Sequence, residues 1–248
     1  SKKAGVAVTA STGIAATHLN GSTIHSWSGI GIKKEMSDKD VLRLNSNLGA
    51  RLRIQAPKVL VIDEISMFHS YRLDAVNRIC KIIRNNEAPF GGLQVILCGD
   101  FFQLPPVPDL GFPPSSFAYK SDAWSELDLR VCYLDEQHRQ WDDEFLKVLN
   151  DIRSRDVKEG TFERLAKRLN GTLPLGIVPT KLYSHNADVD AINNFELRKI
   201  DKKEHIYEMQ SNGKKELIEA LKKGCLAPEV LMLKEGAVVM FVKNNVAK

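Results

Sequence analysis

Val59-Leu60-Val61-Ile62-Asp63-Glu64 is the stretch whose reading decides the fold. Four aliphatic residues with no polar interruption fit a strand buried on both faces of a parallel sheet. Two adjacent carboxylates follow at its carboxyl end, the edge at which open α/β sheets bind ligands. In nucleoside-triphosphate chemistry the first such carboxylate holds Mg²⁺ through water, because that ion keeps part of its hydration shell. The second polarises an attacking water as a general base. A plainer role fits the same six residues: Asp63 caps the next helix and Glu64 is solvated. By itself the segment leaves both open.

The flanking sequence repeats the pattern. Upstream, Gly5–Ala10 reads as a strand and Gly13–Leu19 as the start of a helix. Downstream, Val76, Ile79, Cys80 and Ile83 recur at helical spacing, Leu93–Cys98 is a further strand, and Val131–Leu134 a fourth. Such alternation predicts an α/β fold, a parallel sheet with helices on both faces. From Asp142 the pattern turns helical. Phe145, Val148, Leu149 and Ile152 form one apolar stripe, and Phe162, Leu165 and Leu169 form another beyond the polar break at Ser154–Gly160. After a Pro174–Pro179 linker a second α/β unit is expected. It has a strand at Lys181–Tyr183, a helix through Val189, Ile192 and Asn193, and a late strand at Gly236–Val242.

Composition excludes several classes. The 248 residues are 43% hydrophobic and 27% charged, enough for a core and unlike a disordered or fibrous chain. No apolar run reaches the roughly 18 residues of a membrane span, and no secretory leader opens the chain. The net charge of +4 is compatible with a polyanionic partner but does not require one. Cys80, Cys98, Cys132 and Cys225 lie far apart, and three sit in apolar stretches, which reads as reduced core thiols of an intracellular protein.

Two further segments carry chemistry. After Leu93–Cys98 comes Gly99-Asp100-Phe101-Phe102-Gln103-Leu104-Pro105-Pro106-Val107. A glutamine just past a strand, held by a rigid di-proline, is placed to present its amide to a terminal phosphate. In the alternative, Asp100 is a cap in an ordinary loop. Before the decisive strand stand Val8-Thr9-Ala10-Ser11-Thr12-Gly13 and Ser22-Thr23-Ile24-His25-Ser26-Trp27. Hydroxyls and exposed backbone N–H groups at a helix start suit a phosphodiester backbone. Trp27 either stacks on a base or sits in the core, and His25 either faces a ligand or is a satisfied buried imidazole.

Together these segments resemble the motifs of the Pif-one family of superfamily-one (group B) helicases. Asp74 through Asn77-Arg78-Ile79 to Pro89-Phe90-Gly91-Gly92-Leu93 resembles that family's own signature. Tyr133-Leu134-Asp135-Glu136-Gln137-His138-Arg139-Gln140 is similar to its next motif. The stretch from Pro179 to Asn186 and Asn193, and Gly236 to Asn244, resemble parts of the second motor domain. The resemblance implies a RecA-like motor domain over 1–153, a small wedge or arm insert over 154–178 and the start of a second RecA-like domain over 179–248. It implies an ATP-dependent helicase moving 5′ to 3′ on single-stranded DNA and opening forked duplexes, hybrids and G-quadruplexes, acting as a monomer without a membrane. It further implies Asp63 as the Mg²⁺ residue, Glu64 as base, Gln103 as γ-phosphate sensor and Arg139 as the cation on the transferring phosphoryl. Thr9, Ser11, Gly13, Thr23, His25, Trp27 and Asn186 would line the DNA track. The family's settings are a bacterial cytoplasm, a nucleus or a mitochondrion, with roles in DNA repair, recombination and telomere maintenance.

One expected motif is missing. No GxxxxGK[ST] phosphate loop occurs; at the sole Gly-Lys pair, Gly213-Lys214, Lys215 stands where Ser or Thr is required. The 248 residues are therefore expected to be a piece of the motor, inactive by themselves towards ATP. Competing readings are a RecD-type or relaxase subunit and a non-hydrolysing DNA-binding scaffold. The arm at Asp156–Asn170, basic at Lys158, Arg164, Lys167 and Arg168, is the expected wedge.

Overall fold

The computed structural model describes residues 5–31, 33, 36–108, 116–169, 171, 179–183, 186–213, 218, 219, 222, 225 and 227–239. They fall into two compact units, 1–166 and 167–248.

The first unit is built on four strands, β1 (Val6–Ala10), β2 (Ser22–Thr23), β3 (Val59–Asp63) and β4 (Gln94–Leu97), in the order β2-β1-β3-β4. Every pairing is parallel. The register aligns Ala10 with Asp63 and Ile62 with Leu97, so the carboxyl ends of the three longer strands finish side by side. Among the described residues eight helices accompany them: α1 (Gly13–His18), α2 (Ile24–Ser28), α3 (Asp38–Ser46), α4 (Leu48–Gln55), α5 (Ser70–Arg84), α6 (Asp122–Glu126), α7 (Asp143–Ser154) and α8 (Glu159–Ala166). Leu60 and Ile62 point into a core shared with Ile24 and Trp27 of α2, Ile54 of α4, and Leu73, Val76, Ile79 and Ile83 of α5. Each such fully buried aliphatic side chain contributes roughly 1.5–3 kcal/mol. Val59 and Val61, on the other face, are only half-buried.

The family-signature segment is a clamp around α5. Asn77 Oδ1 accepts from Phe90 N at 2.7 Å, and its Nδ2 donates to Glu126 Oε2 at 3.0 Å. Asp74 Oδ1 accepts from Ala123 N at 2.8 Å. Arg84 donates to the carbonyls of Gly91, Ile54, Gln55 and Pro57 at 2.7–3.1 Å. Gly91 has φ +63°, and a Cβ there would stand 2.6 Å from Cys80 O, so only glycine fits.

Four expectations need correction. Val131–Leu134 forms no strand: β4 remains the edge of the sheet, and Tyr133 and Leu134 are 88% and 98% exposed. A short apolar run alone does not make a strand when no ladder is joined. Lys181–Tyr183 likewise lies outside any strand. In the second unit, helix α9 (Asn186–Arg198) is where the spacing placed it, but the strands are β5 (Glu204–Glu208) and β6 (Val230–Lys234), paired antiparallel. Residues 236–239 are not strand, while Met240–Asn244 and residues 174–178 of the linker lie outside the described residues. Finally, of the four free cysteines only Cys80 is a core thiol, and burial pushes it up to about 12; Cys98, Cys132 and Cys225 are exposed.

Candidate active site

The strand ends build a cavity of about 520 Å³ lined by Thr12, Ile14, Ala15, His18, Leu19, Asp63, Glu64, Ser66, Met67, Gln103 and Leu104. Asp63 closes β3. The chain then turns sharply: Glu64 has φ 54° and ψ 43°, the left-handed region, before a 3₁₀ turn over Ile65–Met67. Neighbouring strands pin this turn. Ser11 donates its backbone N–H to Asp63 O at 3.0 Å and its hydroxyl to Glu64 O at 2.8 Å, and Ile65 N donates to Cys98 O at 3.0 Å. The approach is close: a Cβ on Gly99 would sit 3.0 Å from Ile65 N. The β4 side contributes Gln103, whose backbone N–H donates to Asp100 O at 2.9 Å and whose Nε2 donates to Asp100 Oδ2 at 3.2 Å.

Paired carboxylates and an amide around such a cavity are chemically suited to a hydrated divalent cation carrying phosphate oxygens. Ser66 supports that fit: its hydroxyl is buried, lines the cavity and has no hydrogen-bond partner, so it is left for a water or a ligand oxygen. Among the described residues no group of three or more His, Cys, Asp or Glu side chains would hold a metal unaided. Burial and the adjacent Asp63 carboxylate push the Cys98 thiol up.

The structure thus brings Asp63, Glu64 and Gln103 together and leaves the other expected residues elsewhere. Arg139 is exposed, in a segment without regular structure, and is not among the cavity residues; nearby Glu136 pairs with His138 at 3.2 Å. Thr9 is 0% exposed and its hydroxyl donates to Val61 O at 2.6 Å, so the expectation that it meets DNA is corrected: it ties β1 to β3 within the sheet. Trp27, 4% exposed in the core, has no face open for base stacking, and its carbonyl accepts from Arg53 Nε at 2.7 Å. Ser11 spends its hydroxyl on Glu64 O, and Thr23 caps α2 by accepting from Ser26 N at 3.2 Å. Gly13 opens α1 with free space around its Cα. His25 accepts at Nε2 from Arg72 Nη1 at 2.8 Å, since a guanidinium only donates. Asn186 begins α9 in the second unit. Ser66 was not among the expected residues, its only signal in the sequence being its position two residues after Glu64, and the pairing of Asp100 with Arg153 has no local signal at all.

The PIF1-like helicase model matches residues 1–161. This chain belongs to that family. An ATP-dependent DNA helicase Pif1 from Psychrobacter is 44% identical over 97% of the chain, which spans 38% of that relative's length. Among solved structures, the Pif1 helicase from Candida albicans superposes with a TM-score of 0.79 at 38% identity, covering 94% of this chain and 53% of that one. Pif1 helicase from Bacteroides in complex with ADP-AlF3 and single-stranded DNA gives a TM-score of 0.64 at 26% identity, with 94% and 55% covered. Membership in the PIF1-like family fixes the architecture of the first unit as RecA-like, in agreement with its all-parallel sheet. The chain spans little more than a third of its curated relative, and the signature clamp around α5 lies wholly within the matched residues.

Proposed function

We propose that these residues are part of an ATP-dependent DNA helicase that moves 5′ to 3′ on single-stranded DNA and opens duplex, hybrid and G-quadruplex structures. The observation that carries this reading is the convergence of Asp63, Glu64 and Gln103 on one cavity at the carboxyl edge of a parallel sheet. Asp63 would hold Mg²⁺ through water, Glu64 would take the proton from the attacking water, and Gln103 would donate its amide to the γ-phosphate. The bound cation would neutralise charge developing on the phosphates. Arg139 would be the cation that meets the transferring phosphoryl. Residues 1–153 would be the first motor domain, 154–178 the wedge or arm and 179–248 the start of the second. Single-stranded DNA would run past Ser11, Gly13, Thr23, His25 and Asn186, and the enzyme would work as a monomer. The Bacteroides relative, solved with single-stranded DNA and a nucleotide complex, supports this reading.

These 248 residues contain no phosphate-gripping GxxxxGK[ST] loop, so by themselves they are expected to show no useful turnover. The test is ATP hydrolysis by the full-length protein, with and without single-stranded DNA, as wild type and as Glu64→Gln. Wild type should be DNA-stimulated. The variant should lose about 10²–10⁴-fold in turnover, the span of a general base, and keep its DNA affinity. A Glu64→Gln protein that hydrolyses normally would sink the catalytic assignment, and a folded, DNA-binding wild type without hydrolysis would favour a scaffold. Substrates tailed at the 5′ or the 3′ end report the direction of travel.

A further inference from the structure

Asp100 heads the loop that carries Gln103, and its carboxylate is fully committed. Oδ1 accepts from Arg153 Nη2 at 3.0 Å and from Phe102 N at 3.1 Å. Oδ2 accepts from Arg153 Nη1 at 2.6 Å and from Gln103 Nε2 at 3.2 Å. A carboxylate offers about four acceptor positions, so all are filled, two of them by one guanidinium. That guanidinium also lies over the Phe102 ring, 4.8 Å from its centroid. Arg153 comes from the last turn of α7, and this one side chain ties that helix to the loop whose amide lines the Asp63–Glu64 cavity.

Resting on the reading of Gln103 as the phosphate sensor, we infer that Arg153 is a positioning residue for Gln103 and sets the preference of the site for a triphosphate over a diphosphate. Two effects act in the same direction. Arg153 neutralises a carboxylate that stands one hydrogen bond from the sensing amide; uncovered, that carboxylate would repel the extra negative charge of a terminal phosphate. Arg153 also occupies two acceptor positions. Vacated, they would take both amide hydrogens of Gln103 and turn its donors away from phosphate. Each penalty falls on a nucleotide with a terminal phosphate and spares one without it. Both partners are charged around neutrality, and the hydrogen bonds between them draw the Asp100 carboxyl down to about 2 and push the Arg153 guanidinium up. The Arg153 side chain is half exposed. Exposed ion pairs of this kind add little to folding, so its loss leaves a folded protein in which nucleotide preference can be read.

The experiment is equilibrium binding to the full-length protein of Mg²⁺ with a non-hydrolysable ATP analogue, and of Mg²⁺ with ADP. The proteins are wild type, Arg153→Ala, Arg153→Lys, Gln103→Ala and the double variant Asp100→Asn with Arg153→Ala. Arg153→Ala should cut the preference for the triphosphate by roughly tenfold, the size of coupling between close charged neighbours, with ADP affinity held within about twofold. Arg153→Lys should recover part of the preference through its charge, and Asp100→Asn should restore most of it by removing the repulsion. If Gln103→Ala abolishes the preference while Arg153→Ala weakens both nucleotides equally, or neither, the inference alone is overturned. If Gln103→Ala leaves the preference intact, the sensor reading falls and the inference with it.

Discussion

Asp100 accepts from two backbone or side-chain amides and a bidentate guanidinium at once, and that arrangement has a pH signature. Its carboxyl is drawn down from an ordinary 3.8 to about 2, first by the Arg153 hydrogen bonds. Because the folded value lies below the unfolded one, whatever the pair contributes is complete above about pH 4 and is lost as pH falls towards 2. In Arg153→Ala the Asp100 carboxyl should titrate nearer the ordinary range, as followed by carboxyl-carbon NMR. An unchanged titration would mean that the Phe102 N–H and the Gln103 amide, not the guanidinium, hold it down. No inspection of the sequence would pair these two residues, which stand 53 positions apart.

At the scale of elements, β1, β3, β4 and α5 were legible because their apolar residues keep one period from end to end. Leu60 and Ile62 are buried as the aliphatic run predicts, although Val59 and Val61 on the other face are only half-buried, and α5 buries Leu73, Val76, Ile79, Cys80 and Ile83 at helical spacing. The cavity triad was legible for a related reason: Asp63 ends β3, Glu64 follows it, Gln103 sits in the loop that leaves β4, and parallel strands finish together. What escaped reading depended on partners distant in the chain. Val131–Leu134 is apolar like a strand but joins no ladder, and Thr9 and Trp27 suit a ligand or a core equally until their neighbours are known. The signature clamp shows the same dependence. Asn77 serves the buried Phe90 N–H from one side and Glu126 from the other. Asn77→Ala should lower unfolding free energy by about 1–3 kcal/mol, the cost of an unsatisfied buried group, measured by urea denaturation. A loss of a few tenths would show that the Pro89–Gly92 turn is held by packing alone.

For the molecule as a whole, the two units differ in how much they bury. The first holds a continuous core from Ile24 to Ala123. In the second, β5 is exposed along its length, with Ile206 and Tyr207 more than half open. Native-state amide exchange should therefore be slowest at Leu60, Ile62 and Ile79, near the limit of global unfolding, and at least about 100-fold faster at Ile206 and Tyr207. Uniform protection across both units would mean that they unfold as one. Within the first unit Glu64 is one of six described non-glycine residues with a left-handed backbone, and the one that lines the cavity. A left-handed backbone costs a non-glycine residue about 1–3 kcal/mol, and the Glu64 side chain makes no capping bond in return. Glycine or asparagine would rest there more easily, so selection for thermal robustness alone would erase this carboxylate early. On the role proposed for Glu64 as the base, glutamate is kept at this turn against its backbone preference, and a chain in this family with glycine there would keep the turn and lose the proposed base.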